Sequence, residues 1–497
     1  MIIGGKEENI QNVPIRRNES MLRKTKVICT LGPAVDNEEM MRKLIRSGMD
    51  AARFNFSHGS HEEHLGRLNK LKAVRDSMSR PVATILDTKG PEIRIKSFDV
   101  KKIDLEAGNT FTLTTADEVG NASRVSVTYP QLHQEVTPGM EILIDDGLVA
   151  LKVEEIQGQD IRCVVENGGS LSANKSINIP GVHIHLPALT EKDISDLEFA
   201  VKNDFDYIAA SFVRRAADVQ AVREVLDSFG GQDVKIISKI ENQEGVDNID
   251  EILEASDGIM VARGDLGVEI PAARVPILQK QIIRKGLKVG KPIITATQML
   301  DSMIRNPRPT RAEVSDVANA VFDGTSCVML SGETAGGKYP LEALNAMVGI
   351  VEEAEQSINY WRQFQKHRVT PEPNINDAIT HTCCLTAMDL DAKAILAATN
   401  SGRTARMICR FRPACPVAAL TMQEKVRRQL AISWGVYPFL TGEVNSTDRI
   451  FSLSVECAVK EGLVKNGDTV VITAGVPLGR SGSTNLIKAQ VIDEDMM

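Results

Sequence analysis

Short apolar segments of strand length recur through the first two thirds of the chain, and each is followed by a polar stretch compatible with a helix. Most of these segments are continuously apolar, which is typical of parallel strands buried on both faces. The eight segments lie at Lys26–Thr30, Ala51–Phe54, Val82–Leu86, Tyr207–Ser211, Lys235–Ile240, Gly258–Val261, Pro292–Ala296 and Cys327–Leu330. Eight strand–helix units predict a TIM (β/α)8 barrel. A doubly wound open sheet fits the same alternation, but the count of eight favours the barrel.

Residues 90–187 separate the third and fourth units and show the alternating apolar–polar pattern of strands with one solvated face. Turn signals at Pro138-Gly139 and Asp146-Gly147 separate some of the predicted strands. The alternating stretches are Thr110–Thr114, Arg124–Thr128, Glu141–Ile144, Leu148–Val153 and Asp160–Val165. We therefore predict a small all-β domain, a β-barrel lid inserted into a loop at the face of the barrel that carries function.

The pattern changes again after Ala354. The polar segment Gln363–Asn376, which contains Pro371 and Pro373, predicts a linker. Helical patterns at Asp377–Leu390, Thr404–Phe411, Gln423–Ile432 and Asp448–Glu461 then alternate with strand patterns at Ala394–Thr399, Val417–Leu420, Val436–Leu440 and Thr469–Ala474. The predicted organisation is an N-terminal arm (1–20), a discontinuous catalytic barrel (21–89 and 188–356), the lid (90–187) and a C-terminal α/β regulatory domain (357–497).

The charge balance excludes one broad class of partner. Lys and Arg number 58 and Asp and Glu number 66 in 497 residues, which gives a formal net charge of −8. A general nucleic-acid binder needs a clustered excess of basic residues, and an aromatic content of 4% disfavours a base-stacking surface. Small phosphorylated substrates need only a local basic pocket, so they stay compatible with this composition.

The eight cysteines are scattered and include no CxxC pair. The first twenty residues lack the apolar core of a signal peptide, and no apolar run approaches the length of a membrane span. We expect free buried thiols in a reducing, cytoplasmic setting and no membrane partner. The adjacent Cys383 and Cys384 can also be interpreted as a redox pair, but such a disulfide closes a strained ring.

Polar and charged residues end nearly every predicted strand, where the active site of a barrel lies. Strand ends that have no functional role are more often followed by Gly, Pro or Asn. The charged residues found here therefore favour a shared polar centre. The residues are Arg53, Asn55, Ser57, His58, Asp87, Thr88, Lys89, Ser211, Arg214, Lys239, Glu241, Asn242, Arg263, Gly264, Asp265, Thr297, Gln298, Ser331 and Glu333.

Glu241 and Asp265 follow adjacent predicted strands. Two carboxylates on neighbouring strand ends suit Mg²⁺ whose coordination is completed by water and substrate oxygens. Lys239 lies two residues before Glu241, so both side chains point to the same side of the strand. An ammonium beside the metal would bind an anion and stabilise charge that develops on an oxygen. The alternative is a simple Lys–Glu surface pair.

Two other segments allow a functional and a structural interpretation. The histidines of His58–His64 suggest zinc, but Ser60 and Glu63 form an S-x-x-E capping box that starts a helix, which is the stronger interpretation. The loop at residues 399–404 opens a predicted helix and can form a phosphate cradle, or it is an ordinary helix cap. Under the first interpretation the effector residues are Thr399, Asn400, Ser401, Gly402, Arg403 and Thr404, with Arg480 from the loop Gly475–Thr484.

Ten blocks of sequence, in order along most of the chain, resemble the pyruvate kinase family. They are KVICTLGP (26–33), ARFNFSH (52–58), LDTKGPEIR (86–94), LPALTEKD (186–193), ASFVR (210–214), SKIEN (238–242), MVARGDLG (260–267), ITATQMLDSM (294–303), residues 309–324 and MLSGET (329–334). The family has a TIM barrel with an inserted lid and a C-terminal α/β domain. The resemblance implies phosphoryl transfer from phosphoenolpyruvate to ADP, which gives pyruvate and ATP, and a homotetramer with residues 310–324 near a subunit interface.

The resemblance also implies roles for individual residues. Glu241 and Asp265 hold Mg²⁺ (or Mn²⁺), Lys239 stabilises charge during transfer, and Arg53 holds the phosphoryl group. The substrate carboxylate is held by the backbone around Arg263, Gly264 and Asp265 and by the hydroxyl of Thr297, which also belongs to the proton relay. The implied K⁺ ligands are Asn55, Ser57, Asp87 and the carbonyl of Thr88, and the implied nucleotide contacts are Asn55, Phe56, Ser57, His58, Arg94 and Lys175.

Two expectations about ligands follow from the same resemblance. Family members with Glu at the position of Glu92 are the K⁺-dependent class, whereas Lys there supplies a charge that replaces the cation. Dependence on K⁺ (or NH₄⁺) is therefore predicted, the alternative being that Glu92 is a surface residue at the lid hinge. Loops similar to residues 399–404 bind a sugar phosphate in the family, so fructose 1,6-bisphosphate is expected as effector ahead of AMP.

Two other functions share part of this pattern. A metal-dependent lyase or aldolase acting on a pyruvate enolate would use the same metal pair and an arginine, but it would not need the lid, Glu92 or the nucleotide contacts. A catalytically inactive sensor that binds ligand through its C-terminal domain would be expected to lack Lys239, Glu241 or Asp265, and all three are present.

Overall fold

Eight parallel strands close into a barrel in the order of the chain, with the first strand paired to the eighth. The computed structural model describes residues 22–182, 185–366, 373–442, 446–477 and 484–493. Barrel strands one to eight are Lys26–Thr30, Ala51–Asn55, Ala83–Asp87, Tyr207–Ala210, Lys235–Ile240, Gly258–Ala262, Ile293–Ala296 and Cys327–Leu330. The predicted TIM barrel is confirmed, and the open sheet is excluded by the pairing of Lys26 with Cys327.

Helices surround the barrel. They are Glu38–Arg46, His61–Ser77, Glu191–Lys202, Ala216–Ser228, Gln243–Asp247, Ile249–Ala255, Arg263–Glu269, Val275–Val289, Arg311–Asp323, Gly332–Ala335 and Pro340–Gln356, with 3-10 turns at Pro33–Val35, Ala272–Arg274 and Asp301–Ile304. Side-chain caps fix several helix starts, because Ser60, Thr190 and Thr310 each form a capping box with the acidic residue three positions later. The capping-box interpretation of Ser60 and Glu63 is thus confirmed.

The zinc interpretation of His58–His64 receives no support from the geometry. His64 is buried and stacks on Phe56 at 4.0 Å between ring centroids, while His61 Nε2 lies 2.7 Å from Asp196. In the part of the chain that the structure describes, no group of three or more His, Cys, Asp or Glu side chains is arranged to hold a metal ion. These histidines pack the outer helix against its neighbours.

The segment between barrel strands three and four folds as a separate β domain with its own buried core. Its seven-stranded sheet has the order Ile93–Arg94, Ser176–Asn178, Glu141–Ile144, Val149–Gln157, Asp160–Asn167, Thr110–Thr114 and Arg124–Ser126, and a second sheet pairs Lys102–Leu105 with Gly169–Ser172. A short helix spans Leu132–Glu135. The five alternating stretches all form strands. The strands that the pattern missed contain two to four residues.

The C-terminal region forms a five-stranded sheet in the order Val436–Leu440, Val417–Thr421, Ala394–Ala398, Thr469–Gly475 and Thr484–Val491. The first four strands are parallel, and the last, which the sequence pattern missed, is antiparallel. Its helices are Tyr360–Lys366, Ile375–Asp389, Arg403–Cys409, Glu424–Gln429 and Thr447–Lys460, with a 3-10 turn at Leu430–Ile432. The expected α/β domain is confirmed.

The predicted linker Gln363–Asn376 is wrong at both ends. Helices Tyr360–Lys366 and Ile375–Asp389 extend into it, and residues 367–372 lie outside the described residues, as does the predicted arm at 1–20. Phe364 stacks on His381 at 5.3 Å between ring centroids, a contact that fixes the first helix against the second. Polar composition alone could not reveal this packing.

The base of the barrel is joined to the C-terminal domain by buried charge pairs. Asp206, which is fully buried, accepts hydrogen bonds from Arg428 Nε at 2.8 Å and from the backbone and hydroxyl of Thr84. The carboxylate of Glu355 accepts the backbone N–H groups of Lys24 and Thr25 at the entry to strand one. The contact between Asp206 and Arg428 joins the C-terminal domain to the barrel, whereas the bonds of Glu355 hold the last barrel helix to the entry of strand one.

All eight cysteines are free thiols, as expected, but only six are buried, since Cys415 and Cys457 are partly exposed. Cys383 and Cys384 are both fully buried, and burial raises the pKa of each thiol. None of the helices in the described ranges has the length and apolar character that a membrane span requires.

Candidate active site

Four charged side chains meet at the C-terminal ends of barrel strands two, three and five. Asp87 accepts a hydrogen bond from Arg53 Nε at 2.6 Å through Oδ2 and from Lys239 Nζ at 3.1 Å through Oδ1. Lys239 Nζ also lies 3.0 Å from Glu241 Oε1. Asp87 and Glu241 are only 1% exposed, so two cations and two carboxylates form a buried network rather than a surface pair.

Opposing charges set the protonation of this network. Burial alone would raise the pKa of Asp87, but Arg53 and Lys239 outweigh burial and hold that pKa below its ordinary value. Burial would lower the pKa of Lys239, and the two carboxylates reverse this and raise it. Lys239 is therefore a permanent cation at neutral pH.

The pKa of Glu241 is shifted upwards, whereas that of Asp87, the other carboxylate of the network, is shifted downwards. Burial raises the pKa of Glu241 to about 7, which Lys239 opposes and the nearby charge of Asp265 reinforces. The second carboxylate oxygen accepts the backbone N–H of Phe212 at 2.6 Å. Two carboxylates near each other in a buried position repel, so this pair favours a ligand of positive charge.

Asp265 begins the helix that follows strand six, and the strand pairs in register with strand five. The prediction that Glu241 and Asp265 follow adjacent strands thus agrees with the geometry. The preceding Arg263 anchors this turn, because its guanidinium donates to the carbonyls of Ala296 and Thr297 and to Asp316. The backbone N–H of Gly264 donates to Thr297 Oγ1 at 2.7 Å.

Thr297 occupies an unusual backbone position. Its φ is +66°, and that of Gln298 is +52°, a left-handed conformation that a β-branched residue adopts only under constraint. Its hydroxyl donates to Ala296 O at 2.7 Å while it accepts from Gly264. The strained turn keeps Thr297 Oγ1 beside the amide of Gly264.

The residues implied as K⁺ ligands lie on strands two and three, whose ends pair in register at Asn55 and Asp87. Asn55 Oδ1 accepts the backbone N–H of Ser57, and the carbonyl of Thr88 accepts Ser211 Oγ at 2.6 Å. Phe56 and His58 follow Asn55, and Phe56 is buried beneath the site. The structure brings these oxygen donors to one edge of the barrel mouth, next to Asp87.

The two lid residues implied as nucleotide contacts are held within the lid. Arg94 pairs with Glu92 at 2.8 Å, and Lys175 Nζ lies 2.8 Å from Asp145. A cavity between lid and barrel is lined by Glu92 together with Asp265, but neither Arg94 nor Lys175 lines it. The structure therefore brings Glu92, but not these two cations, towards the barrel centre.

The loop at residues 399–404 joins a strand to the helix Arg403–Cys409. Gly402 has a φ of +78° and precedes the helix without a side-chain cap, while Thr404 Oγ1 is 2.7 Å from Thr484 Oγ1. Asn400 accepts from Gln423, and Ser401 O accepts from Arg406. Arg480, the predicted partner of this loop, lies outside the described residues.

Sequence reasoning missed two contributors to the site. Phe212 supplies a backbone donor to Glu241 from a left-handed conformation with φ +55°, which no side-chain pattern signals. Thr30 contacts Arg53, and its polar side chain at the end of strand one was a signal that could have identified it. Arg263 was named for its backbone, but the anchoring bonds of its guanidinium were not predicted because they depend on residues far along the chain.

A closed parallel barrel with cations and carboxylates at its carboxyl end, covered by an inserted β domain, defines a (β/α)8-barrel enzyme for anionic substrates. The family model for the pyruvate kinase barrel domain matches residues 22–344, and that for the pyruvate kinase alpha/beta domain matches residues 377–490. The chain belongs to the pyruvate kinase family and is a phosphotransferase.

Matches to individual proteins support the same family assignment. The chain is 53% identical over 473 residues to a pyruvate kinase of Clostridium acetobutylicum, a match that covers 95% of this chain and 100% of that protein. It is 50% identical over 476 residues to that of Geobacillus stearothermophilus, covering 95% of this chain and 81% of the relative. A crystal structure of a pyruvate kinase from Cryptosporidium parvum superposes with a TM-score of 0.90 at 41% identity and covers 94% of this chain and 96% of its own.

Proposed function

We propose that the protein transfers the phosphoryl group of phosphoenolpyruvate to ADP in the cytoplasm, giving pyruvate and ATP, with Mg²⁺ (or Mn²⁺) and K⁺ as cofactors. The observation that carries this proposal is the buried network of Arg53, Asp87, Lys239 and Glu241 beside Asp265. Phosphoryl transfer depends on positioning and on neutralisation of dense negative charge, which such a network supplies. The free cysteines support a reducing compartment.

The residues present fit a divalent cation. Glu241 has a raised pKa because it is buried near Asp265, and this repulsion would be relieved by a bound cation. The resemblance assigns these two carboxylates to the ion, so the remaining ligands would be water and substrate oxygens, as Mg²⁺ prefers. When bound, the ion would neutralise charge on the transferred phosphoryl group and on the oxygen it leaves.

We assign a separate role to each of the protein's own groups. Arg53 binds the phosphoryl oxygens, and Lys239, held between Asp87 and Glu241, stabilises the charge of the migrating group. To bind the carboxylate of the substrate, the amide of Gly264 and the hydroxyl of Thr297 would exchange their present hydrogen bonds, to each other and to Ala296 O, for bonds to the substrate. Thr297 would also take part in moving the proton to the enolate carbon. The lid excludes water from the transfer.

A coupled assay with lactate dehydrogenase tests this function. We expect pyruvate to form from phosphoenolpyruvate only when ADP and Mg²⁺ are both present. Pyruvate formation without ADP would favour a lyase, and no pyruvate under any condition would contradict the proposal.

We expect the activity to depend on K⁺. The carboxylate of Glu92 lines the cavity shared with Asp265 and pairs with Arg94, and the resemblance places Glu at this position in the K⁺-dependent class. With tetramethylammonium as the only monovalent cation, the rate should fall roughly tenfold or more, and K⁺ or NH₄⁺ should restore it. Glu92→Lys should retain activity without K⁺, whereas Glu106→Lys, at an exposed carboxylate of the same lid, should not. Full activity of the unmodified protein in tetramethylammonium would refute the dependence.

We propose that the loop at residues 399–404 binds a sugar phosphate effector, with fructose 1,6-bisphosphate ahead of AMP. Support comes from the exposed Arg403 and from the free amides at the start of its helix, which Gly402 leaves uncapped. Each compound should be titrated against the rate at low phosphoenolpyruvate. Activation should be lost in Arg403→Ala and kept in Arg449→Ala, an exposed arginine of the same domain. A flat response to both compounds would refute this allosteric regulation.

We propose that the protein is a homotetramer that uses the helix Arg311–Asp323. Val314 and Phe322 on this helix are 36% and 46% exposed and line an apolar groove with Ala346 and Ile350. Light scattering should give four chains per particle. Phe322→Glu should lower that number because it places a charge on the apolar face, whereas Val119→Glu, at an exposed valine of the lid, should leave it unchanged. A monomeric unmodified protein would contradict the proposal.

A further inference from the structure

Two neighbours fix the guanidinium of Arg53. Asp87 Oδ2 accepts from Nε at 2.6 Å, and Thr30 Oγ1 accepts from Nη1 at 3.1 Å. Among the described residues no partner is present for Nη2, so this nitrogen is left to bind an anion. The side chain of Arg53 is 11% exposed, which places this open end at the mouth of the barrel rather than in bulk solvent.

Thr30 is part of the barrel wall. It is the last residue of strand one, it is 3% exposed, and its Cα pairs in register with that of Arg53 in strand two. Its hydroxyl donates to the carbonyl of Leu330, the last residue of strand eight, at 2.9 Å. Because the single hydroxyl proton is used by this carbonyl, only the lone pairs of the oxygen are presented to Arg53, as a guanidinium requires.

We propose that Thr30 is a positioning residue for phosphoryl transfer, because its hydroxyl sets the orientation in which Arg53 receives the phosphoryl group of the substrate. This inference rests on the role proposed for Arg53. Without the hydroxyl, Nη1 would lose its acceptor, and the guanidinium would be held only through Nε. Hydrogen bonds to charged groups are among the stronger ones in proteins, so the loss would affect binding of the anion.

The test is Thr30→Val, which keeps the shape and β-branching of the side chain. We expect the KM for phosphoenolpyruvate to rise roughly tenfold, whereas the KM for ADP and the kcat at saturation change about twofold or less. Thr30→Ser, which restores the hydroxyl, should recover most of the affinity. Thr30→Ala serves as a second variant if the valine protein does not fold, since it introduces no added bulk.

Thr325→Val is the matched control. Thr325 is fully buried, and its hydroxyl lies within hydrogen-bond distance of the carbonyls of Ile293 and Cys327, one of which accepts its proton, but it lies at the opposite end of strand eight. It should lower the melting temperature and leave the KM for phosphoenolpyruvate unchanged. Equal changes in the KM for both substrates, or a KM for phosphoenolpyruvate that stays unchanged in Thr30→Val and Thr30→Ala, would overturn the role of Thr30.

A double-mutant cycle with Arg53→Lys separates this inference from the proposed function. If Thr30 acts through Arg53, then Thr30→Val should have little further effect in the Arg53→Lys protein. A full additional effect in that background would overturn the positioning role alone. An unchanged KM for phosphoenolpyruvate in Arg53→Lys would contradict the assigned role of Arg53, and the inference about Thr30 with it.

Discussion

Replacing Lys239 by methionine should lower kcat by roughly 10³-fold or more, because the transition state loses the one ammonium held beside the proposed metal site. Lys239 is fixed by Asp87 Oδ1 at 3.1 Å, by Ser211 Oγ at 2.8 Å and by Glu241 Oε1 at 3.0 Å. Its charge is thus oriented before substrate arrives. Coupled kinetics should show the loss in kcat, and calorimetry should show that phosphoenolpyruvate still binds.

Lys26→Met provides the matched comparison. Lys26 is also a buried lysine of a barrel strand, but it lies at the opposite end, donates to Val436 O and packs over the ring of Tyr437. This change should reduce thermal stability and leave kcat within about twofold of the unmodified enzyme. If Lys239→Met kept more than about a tenth of the unmodified kcat, Lys239 would not stabilise the transferred group.

Replacing Glu241 by glutamine should raise the Mg²⁺ concentration needed for half activity at least about 100-fold, since one of two charged ligands is lost. The amide keeps the size of the side chain and an oxygen that accepts from Phe212 N. The loss of charge also removes one partner of Lys239. The measurement is the rate against Mg²⁺ concentration, with Mn²⁺ titrated in parallel.

The control for Glu241 is Glu355→Gln. Glu355 is 1% exposed and accepts two backbone N–H groups, but it lies at the base of the barrel. It should change the melting temperature without changing the Mg²⁺ response. An unaltered Mg²⁺ response in Glu241→Gln would contradict the metal site proposed at Glu241 and Asp265.

Much of the fold was predictable because it depends on local pattern. Buried parallel strands produce continuous apolar segments such as Cys327–Leu330, and the structure has this strand at the predicted bounds. The final antiparallel strand Thr484–Val491 was missed because its exposed and buried positions do not alternate cleanly. The helix Tyr360–Lys366 was missed because tertiary packing, not composition, decides it.

The site was predictable where chemistry follows from spacing. Lys239 and Glu241, two residues apart, lie on one side of a strand as expected. The role of Asp87 as the bridge between two cations was not predictable, because its partners lie 34 and 152 residues away in sequence. Contacts of that range depend on closure of the barrel, which a linear pattern does not encode.

The charge pairs at the base of the barrel mean that the catalytic domain is not a separable unit. A shortened chain ending at Gln356 would keep Asp206 fully buried near Thr84 but would lose Arg428, the guanidinium beside it. Burial already raises the pKa of Asp206 against the opposing effect of Arg428, so the isolated barrel would have to protonate this carboxylate or admit water around it. Strands three and four begin at this point and end at Asp87 and Ala210. A barrel without the C-terminal domain is therefore expected to be less stable, even though every proposed catalytic residue lies within it.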